Sequence, residues 1–314
     1  MPTPVSIAGR NLGCDRGVYL KDPYNGHGPA EFVRGRYEVA ALAMRLEVEL
    51  QRRRTIGAGG AGEPFRFSHA VRGGAACFGS TPLGSFSPRA LGFALFVPPT
   101  ERGIDAIRRH FAALRQPSRI VLCEGAVPLA AHRLLERAGF TREHDTGTGW
   151  VLGASASVRL ARRAPMSVPV GRSRSAVSVE RVSAKDASAF ARISTAGFGL
   201  RGRWRFFARS AARLIAAHPR TSAAFLARRN GRPAGSGSLL IHRGAGLLFS
   251  GSVIGAHRGR GIQPALMAAR VSHGFQRGAR AFFAQTGPEG ASARNFADAG
   301  FKRHSVLALW VLTD

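Results

Sequence analysis

One short signature occurs twice in this chain, and the repeat limits its fold more than any other feature. Ala138-Gly139-Phe140-Thr141-Arg142 leads to Trp150-Val151-Leu152, and Ala299-Gly300-Phe301-Lys302-Arg303 leads to Trp310-Val311-Leu312. The spacing from Gly to Trp differs by a single residue between the copies. Self-similarity of this kind marks a duplicated unit, so two lobes of one architecture are expected. Upstream of the first copy, Leu91 to Phe111 reads as an apolar strand followed by a helix, and the same order precedes the second. A chain of 314 residues is long enough for two cores.

The stretch before the second copy carries the chemistry. Residues 253 to 270 read V-I-G-A-H-R-G-R-G-I-Q-P-A-L-M-A-A-R: a strand end, a basic glycine-rich turn and a helix. In the turn, Arg258, Gly259, Arg260 and Gly261 remove side-chain bulk at alternate positions and supply two guanidinium groups. The helix that follows presents unpaired N–H groups at its start, which suits a diphosphate. With the downstream N-x-x-x-x-G-F of Asn295 to Phe301, this turn resembles the R-x-x-G-x-G/A loop of the GCN5-related N-acetyltransferases, Gln263 standing where the last Gly or Ala is usual. The resemblance covers roughly residues 177 to 314.

That resemblance implies an α/β fold, a mixed sheet flanked by helices, in two tandem acyl-CoA N-acyltransferase-like lobes. It implies acetyl-CoA as co-substrate, its pyrophosphate held by Arg258, Gly259, Arg260, Gly261, Ile262 and Gln263. The pantetheine amides would meet Gly251, Ser252 and Val253, and Asn295 would bond the cofactor. The activity implied is acetyl transfer to a primary amine of a small molecule or peptide. Such transfer needs an acceptor for the amine proton and a proton source for the departing thiolate. Many members place a Tyr acid four residues before the Gly-Phe pair, where this chain has Phe296. Its three tyrosines, Tyr19, Tyr24 and Tyr37, all lie in the first half. Glu289 is the candidate base and Ser292 the candidate proton donor; both are equally read as helix-start residues.

The first copy has lost the phosphate chemistry. Its turn reads Pro98-Pro99-Thr100-Glu101-Arg102-Gly103-Ile104-Asp105, where two prolines delete donors and two carboxylates occupy the helix start. The expected organisation is an extension over 1–30, a degenerate lobe over 31–153 that does not bind CoA, a linker over 154–176, and the acetyl-CoA-binding domain over 177–314. Helical spacing runs from Glu31 to Arg54. In the second lobe the pattern predicts a strand at 177–182, helices at 185–193 and 203–218, a hairpin of 222–229 and 233–242 about Asn230-Gly231, a strand at 247–254 and a helix at 262–276. Phe198, Trp204, Phe206 and Phe207 form an aromatic, arginine-flanked stretch that suits a substrate face or core packing.

The formal charge is +28, yet only three of the 46 basic residues are lysines, a bias that a GC-rich genome also produces. From residue 151 onward, 26 basic side chains face five acidic ones, so this half attracts anions: CoA phosphates or nucleic acid. No recognition helix or aromatic RNA-binding motif accompanies the charge. A nucleic-acid-associated protein is therefore one alternative, and a non-catalytic acyl-CoA-binding regulator, favoured by Phe296, is the other. Cys14, Cys77 and Cys123 are too scattered for a disulfide framework or zinc site, and no histidine spacing suggests a metal. No apolar run approaches the roughly 18 residues of a membrane span, and Met1 to Arg10 has no signal-peptide core, so a cytoplasmic location without membrane partners is expected.

Overall fold

The computed structural model describes residues 36–57, 66–81, 88–163, 177–201, 215, 218–287 and 289–312. In chain order the elements are α1 (Arg36–Gly57), β1 (Arg66–Arg72), β2 (Ala75–Thr81), β3 (Arg89–Leu91), α2 (Glu101–Ala113), β4 (Arg119–Glu124), α3 (Leu129–Arg137) and β5 (Phe140–Leu152). They continue with α4 (Ala154–Ala161), β6 (Val177–Arg181), α5 (Ala187–Gly197), β7 (Ser222–Arg229), β8 (Arg232–His242), β9 (Ala245–Val253), α6 (Ile262–Gln276), β10 (Ala281–Thr286), α7 (Ala291–Asp298) and β11 (Lys302–Leu312). Both halves thus run through three strands, a helix, a strand, a helix and a strand. Internal contacts group the described residues into two units. The first takes those of Met1–Trp150, Thr286–Ala293 and Arg303–Asp314; the second takes those of Val151–Gln285 and Arg294–Lys302.

The first unit has the strand order β1-β2-β3-β4-β11-β5. β1, β2 and β3 are antiparallel, β3 runs parallel to β4, and β4 pairs antiparallel with β11 from Val306↔Glu124 to Val311↔Arg119. The C-terminal strand therefore lies beside β4. Alternation along β11 sends its side chains to two cores. Leu307, Leu309 and Val311 join Ala40 and Met44 of α1, while Ala308 and Trp310 join Ile104, Ile107 and Phe111 of α2 and Leu135 of α3. β11, from the end of the chain, thus groups with the residues of the lobe expected over 31–153. The apolar strand expected from Leu91 onward is also shorter. It ends at Leu91, because Gly92 (φ 82°) and Ala94 (φ 60°) turn the backbone out of the extended region.

The second unit has the order β10-β9-β8-β7-β6, antiparallel except for the parallel β9/β10 pair. Asn230 and Gly231 both have positive φ, 51° and 76°, as a two-residue type I′ hairpin requires. The expected linker over 154–176 opens instead with α4, whose Ser157 and Leu160 are buried. The short alanine-rich segment carries no proline or glycine inside those eight residues, so nothing breaks the helix. The extension over 1–30, most of the helix expected at 203–218, and Trp204, Phe206 and Phe207 lie outside the described residues; Phe198 is half exposed. No described helix is long and apolar enough to cross a membrane.

Candidate functional site

The site of the second unit starts where two parallel strands part. β9 pairs with β10 only from Ala245↔Ala281 to Leu248↔Ala284. Beyond Leu248, β9 continues to Val253 beside β8 alone, and its register slips: Ser238 faces Phe249 and Ser236 faces Ser252. Two residues, Ser250 and Gly251, therefore oppose Gly237, a β-bulge with Ser250 at φ 50°. A non-glycine residue in the left-handed region is strained, and such strain gathers at functional positions.

Small residues bring the flanking helices close to this bulge. A Cβ at Gly251 would sit 2.9 Å from Gln263 Nε2 and 3.4 Å from Arg270 Nη2, so Gly251 faces α6. Ser252 faces the other way, sharing a 3.0 Å hydrogen bond with Ser236, and a Cβ at Gly197 of α5 would come within 2.6 Å of its Oγ.

After Val253 the chain makes a short turn over Gly255–His257 and enters the basic loop. Gly259 (φ 69°) and Gly261 (φ 74°) both need the left-handed conformation, and a Cβ at either would meet open space. Gly261 is the N-cap of α6 and offers no side-chain cap. The amides of Ile262 and Gln263 consequently have no intrahelical acceptor, while Pro264 removes the next donor. Arg260 is exposed at the loop. Arg258 is turned back, donating from Nε to Val253 O and from Nη2 to Gly197 O, both at 3.3 Å. It ties the loop to β9 and α5.

The corresponding turn of the first unit is closed. Thr100 caps α2 by accepting from Gly103 N at 3.0 Å, and Glu101 pairs with Arg137 at 3.0 Å. An amide that an anion would need is already bonded, and a carboxylate stands beside it.

Sequence reasoning missed Arg270. It is 1 % exposed, donates from Nε to Leu266 O at 2.9 Å and from Nη1 to Ser238 O at 3.5 Å, and has no partner for Nη2. Burial alone pushes its guanidinium down to about 9, so it stays charged at neutral pH. A cation thus lies behind the bulge. The available signal was an arginine in the apolar stripe Ile262, Leu266, Arg270, Gly274.

Glu289 follows β10 and Ser292 opens α7; both are exposed and group with the first unit, whereas the loop groups with the second. Asn295 is half-buried on α7. Phe296 is buried edge-on against Phe301, ring centroids 4.9 Å apart. Among the described residues no cluster of His, Cys, Asp and Glu is arranged to hold a metal.

No curated protein matches the chain. Its fold is similar to that of a GCN5-related N-acetyltransferase from Kribbella flavida, at 17% identity and TM-score 0.61, over 88% of this chain and 96% of that one. It is also similar to a tandem GNAT protein from the clavulanic acid biosynthesis pathway (15%, TM-score 0.57, over 87% and 96%). A GCN5-related N-acetyltransferase from Sphaerobacter thermophilus is a further likeness (15%, TM-score 0.52, over 90% and 95%). The sequence model of the acetyltransferase (GNAT) family matches residues 190–301, from α5 through the bulge and the basic loop to Phe301. Residues 190–301 thus match the acetyltransferase (GNAT) family, and the fold of most of the chain is similar to that of GNAT acetyltransferases.

Proposed function

We propose that this protein transfers an acetyl group from acetyl-CoA to a primary amine and binds acetyl-CoA only in its second unit. The observation that carries this reading is the uncapped start of α6, preceded by two left-handed glycines, set against the Thr100-capped start of α2. Amides of the loop and of Ile262 and Gln263, with Arg260, would hold the pyrophosphate by charge-assisted hydrogen bonds. Arg258 would act through the loop it braces. The gap between β9 and β10 beyond Leu248 leaves the backbone of Gly251, Ser252 and Val253 available to the pantetheine amides.

In the reaction the amine nitrogen attacks the thioester carbonyl carbon, the C–S bond breaks and CoA leaves as thiolate. The carbonyl oxygen gains negative charge on the way, and the buried Arg270 cation behind the bulge stabilises charge of that sign. The amine proton passes to water. A thiolate whose conjugate thiol has a pKa near 8.5 departs readily, which fits a site holding Phe296 in place of an acid. Acyl-CoA binding without turnover is the second reading, favoured by that same buried Phe296.

Thiol release measured with acetyl-CoA and a panel of small primary amines tests the proposal. Amine-dependent release by the wild type, absent in Gly261→Glu, is the expected result. Acetyl-CoA binding without release for any amine would favour the non-catalytic reading.

A further inference from the structure

Gly251 lies outside the left-handed region, so its backbone suits any residue. Space, and not conformation, demands a glycine there. A Cβ would lie 2.9 Å from Gln263 Nε2, closer than such a contact allows, whereas Arg270 Nη2 and Nη1, at 3.4 and 3.5 Å, stand at ordinary contact distance. The Gln263 carboxamide therefore occupies the place of a side chain on the bulge.

Gln263 is the second residue of α6, where the loop it resembles has Gly or Ala. Its Oε1 is buried with no hydrogen-bond partner among the described residues. An unmade buried bond costs stability, and an alanine at this helical position would avoid that cost. Ile262 beside it reaches the sheet in the same way: a Cβ at Gly235 of β8 would lie 2.7 Å from its Cγ2. The first turn of α6 thus rests on glycines of two adjacent strands, Gly235 of β8 and Gly251 of β9.

We propose that the Gln263 side chain is a positioning residue of the acetyl-CoA site, a strut that spaces the bulge backbone of Gly251, Ser252 and Val253 from the open amides of Ile262 and Gln263. The two sets of groups would hold different parts of one ligand, the pantetheine amides and the pyrophosphate. A ligand gripped at two points gains from both only when their spacing matches its own. This role rests on acetyl-CoA binding at the loop before α6.

Calorimetric titration of the full chain with acetyl-CoA, and with 3′-phospho-ADP, which carries the diphosphate but no pantetheine, tests it. Gln263→Ala is expected to weaken acetyl-CoA about tenfold and 3′-phospho-ADP by less than about twofold, and Gln263→Met, of similar length, recovers most of the loss. Gly251→Ala is expected to weaken acetyl-CoA about threefold in the wild type, by pushing the carboxamide away, and not at all in Gln263→Ala, where the methyl meets only ordinary contacts. Equal losses of the two ligands in Gln263→Ala, unchanged acetyl-CoA affinity in that variant, or the same effect of Gly251→Ala in both backgrounds overturns the proposal. If Gln263→Ala melts early, Gly251→Ala decides, because it displaces only the end of a flexible side chain: a well-folded variant that binds acetyl-CoA as the wild type does overturns the strut. A wild type that does not bind acetyl-CoA overturns the acetyl-CoA reading itself, and this role with it.

Discussion

Arg270 separates stability from function. A buried cation with neither an ion pair nor a full set of acceptors is costly to the fold, and an apolar side chain of similar length removes that cost. Arg270→Met is therefore expected to leave the melting temperature unchanged or raised. Turnover of acetyl-CoA should fall about fivefold, about 1 kcal/mol of barrier, with KM little altered. A variant with lower stability and unchanged kcat would assign the residue to packing alone. His304 of β11 carries a second charge effect. Burial pushes its imidazole down to about 4, so the folded state holds it neutral while the unfolded chain takes a proton near 6.5. Its stabilisation is complete above about 6.5 and is lost as pH falls towards 4, by up to about 3 kcal/mol. Burial shifts His110 and His273 in the same direction. Glu49, held at about 2 by Arg52 and Arg53 despite its burial, loses its share only at lower pH. Urea midpoints measured from pH 7 to 4 should decline, and His304→Gln should flatten that decline.

Two helix starts with the same place in the repeat have opposite chemistry. Thr100→Ala should cost about 1 kcal/mol by freeing Gly103 N, measured by chemical denaturation, and the carboxylates at the same turn should still exclude CoA. The contrast is legible in the sequence because it is local: Pro98-Pro99 and Glu101 against Gly259 and Gly261. The Asn230-Gly231 hairpin is legible for the same reason, since only a few residue types accept positive φ at both turn positions. The bulge at Ser250 is not, because a register slip between β8 and β9 depends on both strands and leaves no periodic trace in either. The inward course of Arg270 is hidden too. Gly237 and Gly251 make room for it, but their proximity exists only once the strands pair. Glu289 and Ser292 stand out in the sequence only by their position in a motif, and the fold groups them with the first unit.

At the scale of the whole molecule, the repeat is not a cut line. β11, nearly at the end of the chain, pairs with β4 and supplies buried Leu307, Leu309, Trp310 and Val311 to the first unit. Each such side chain is worth about 2 kcal/mol of burial, comparable in sum with the stability of a small domain. A fragment ending at residue 153 is expected to be unfolded by circular dichroism and readily proteolysed, and removal of residues 302–314 from the full chain should have the same effect on the first unit. A cooperatively folding 1–153 fragment would refute this. The duplicated signature is legible because it is local, but a pairing between residues some 180 positions apart has no local pattern to betray it. A single acetyl-CoA site, on the loop before α6, is proposed for this two-unit molecule. Calorimetric titration of acetyl-CoA into the full chain tests it most directly: one molecule bound per chain, abolished by Gly261→Glu and retained by Thr100→Ala, is the result expected. Two molecules per chain, or binding that survives Gly261→Glu, would contradict it.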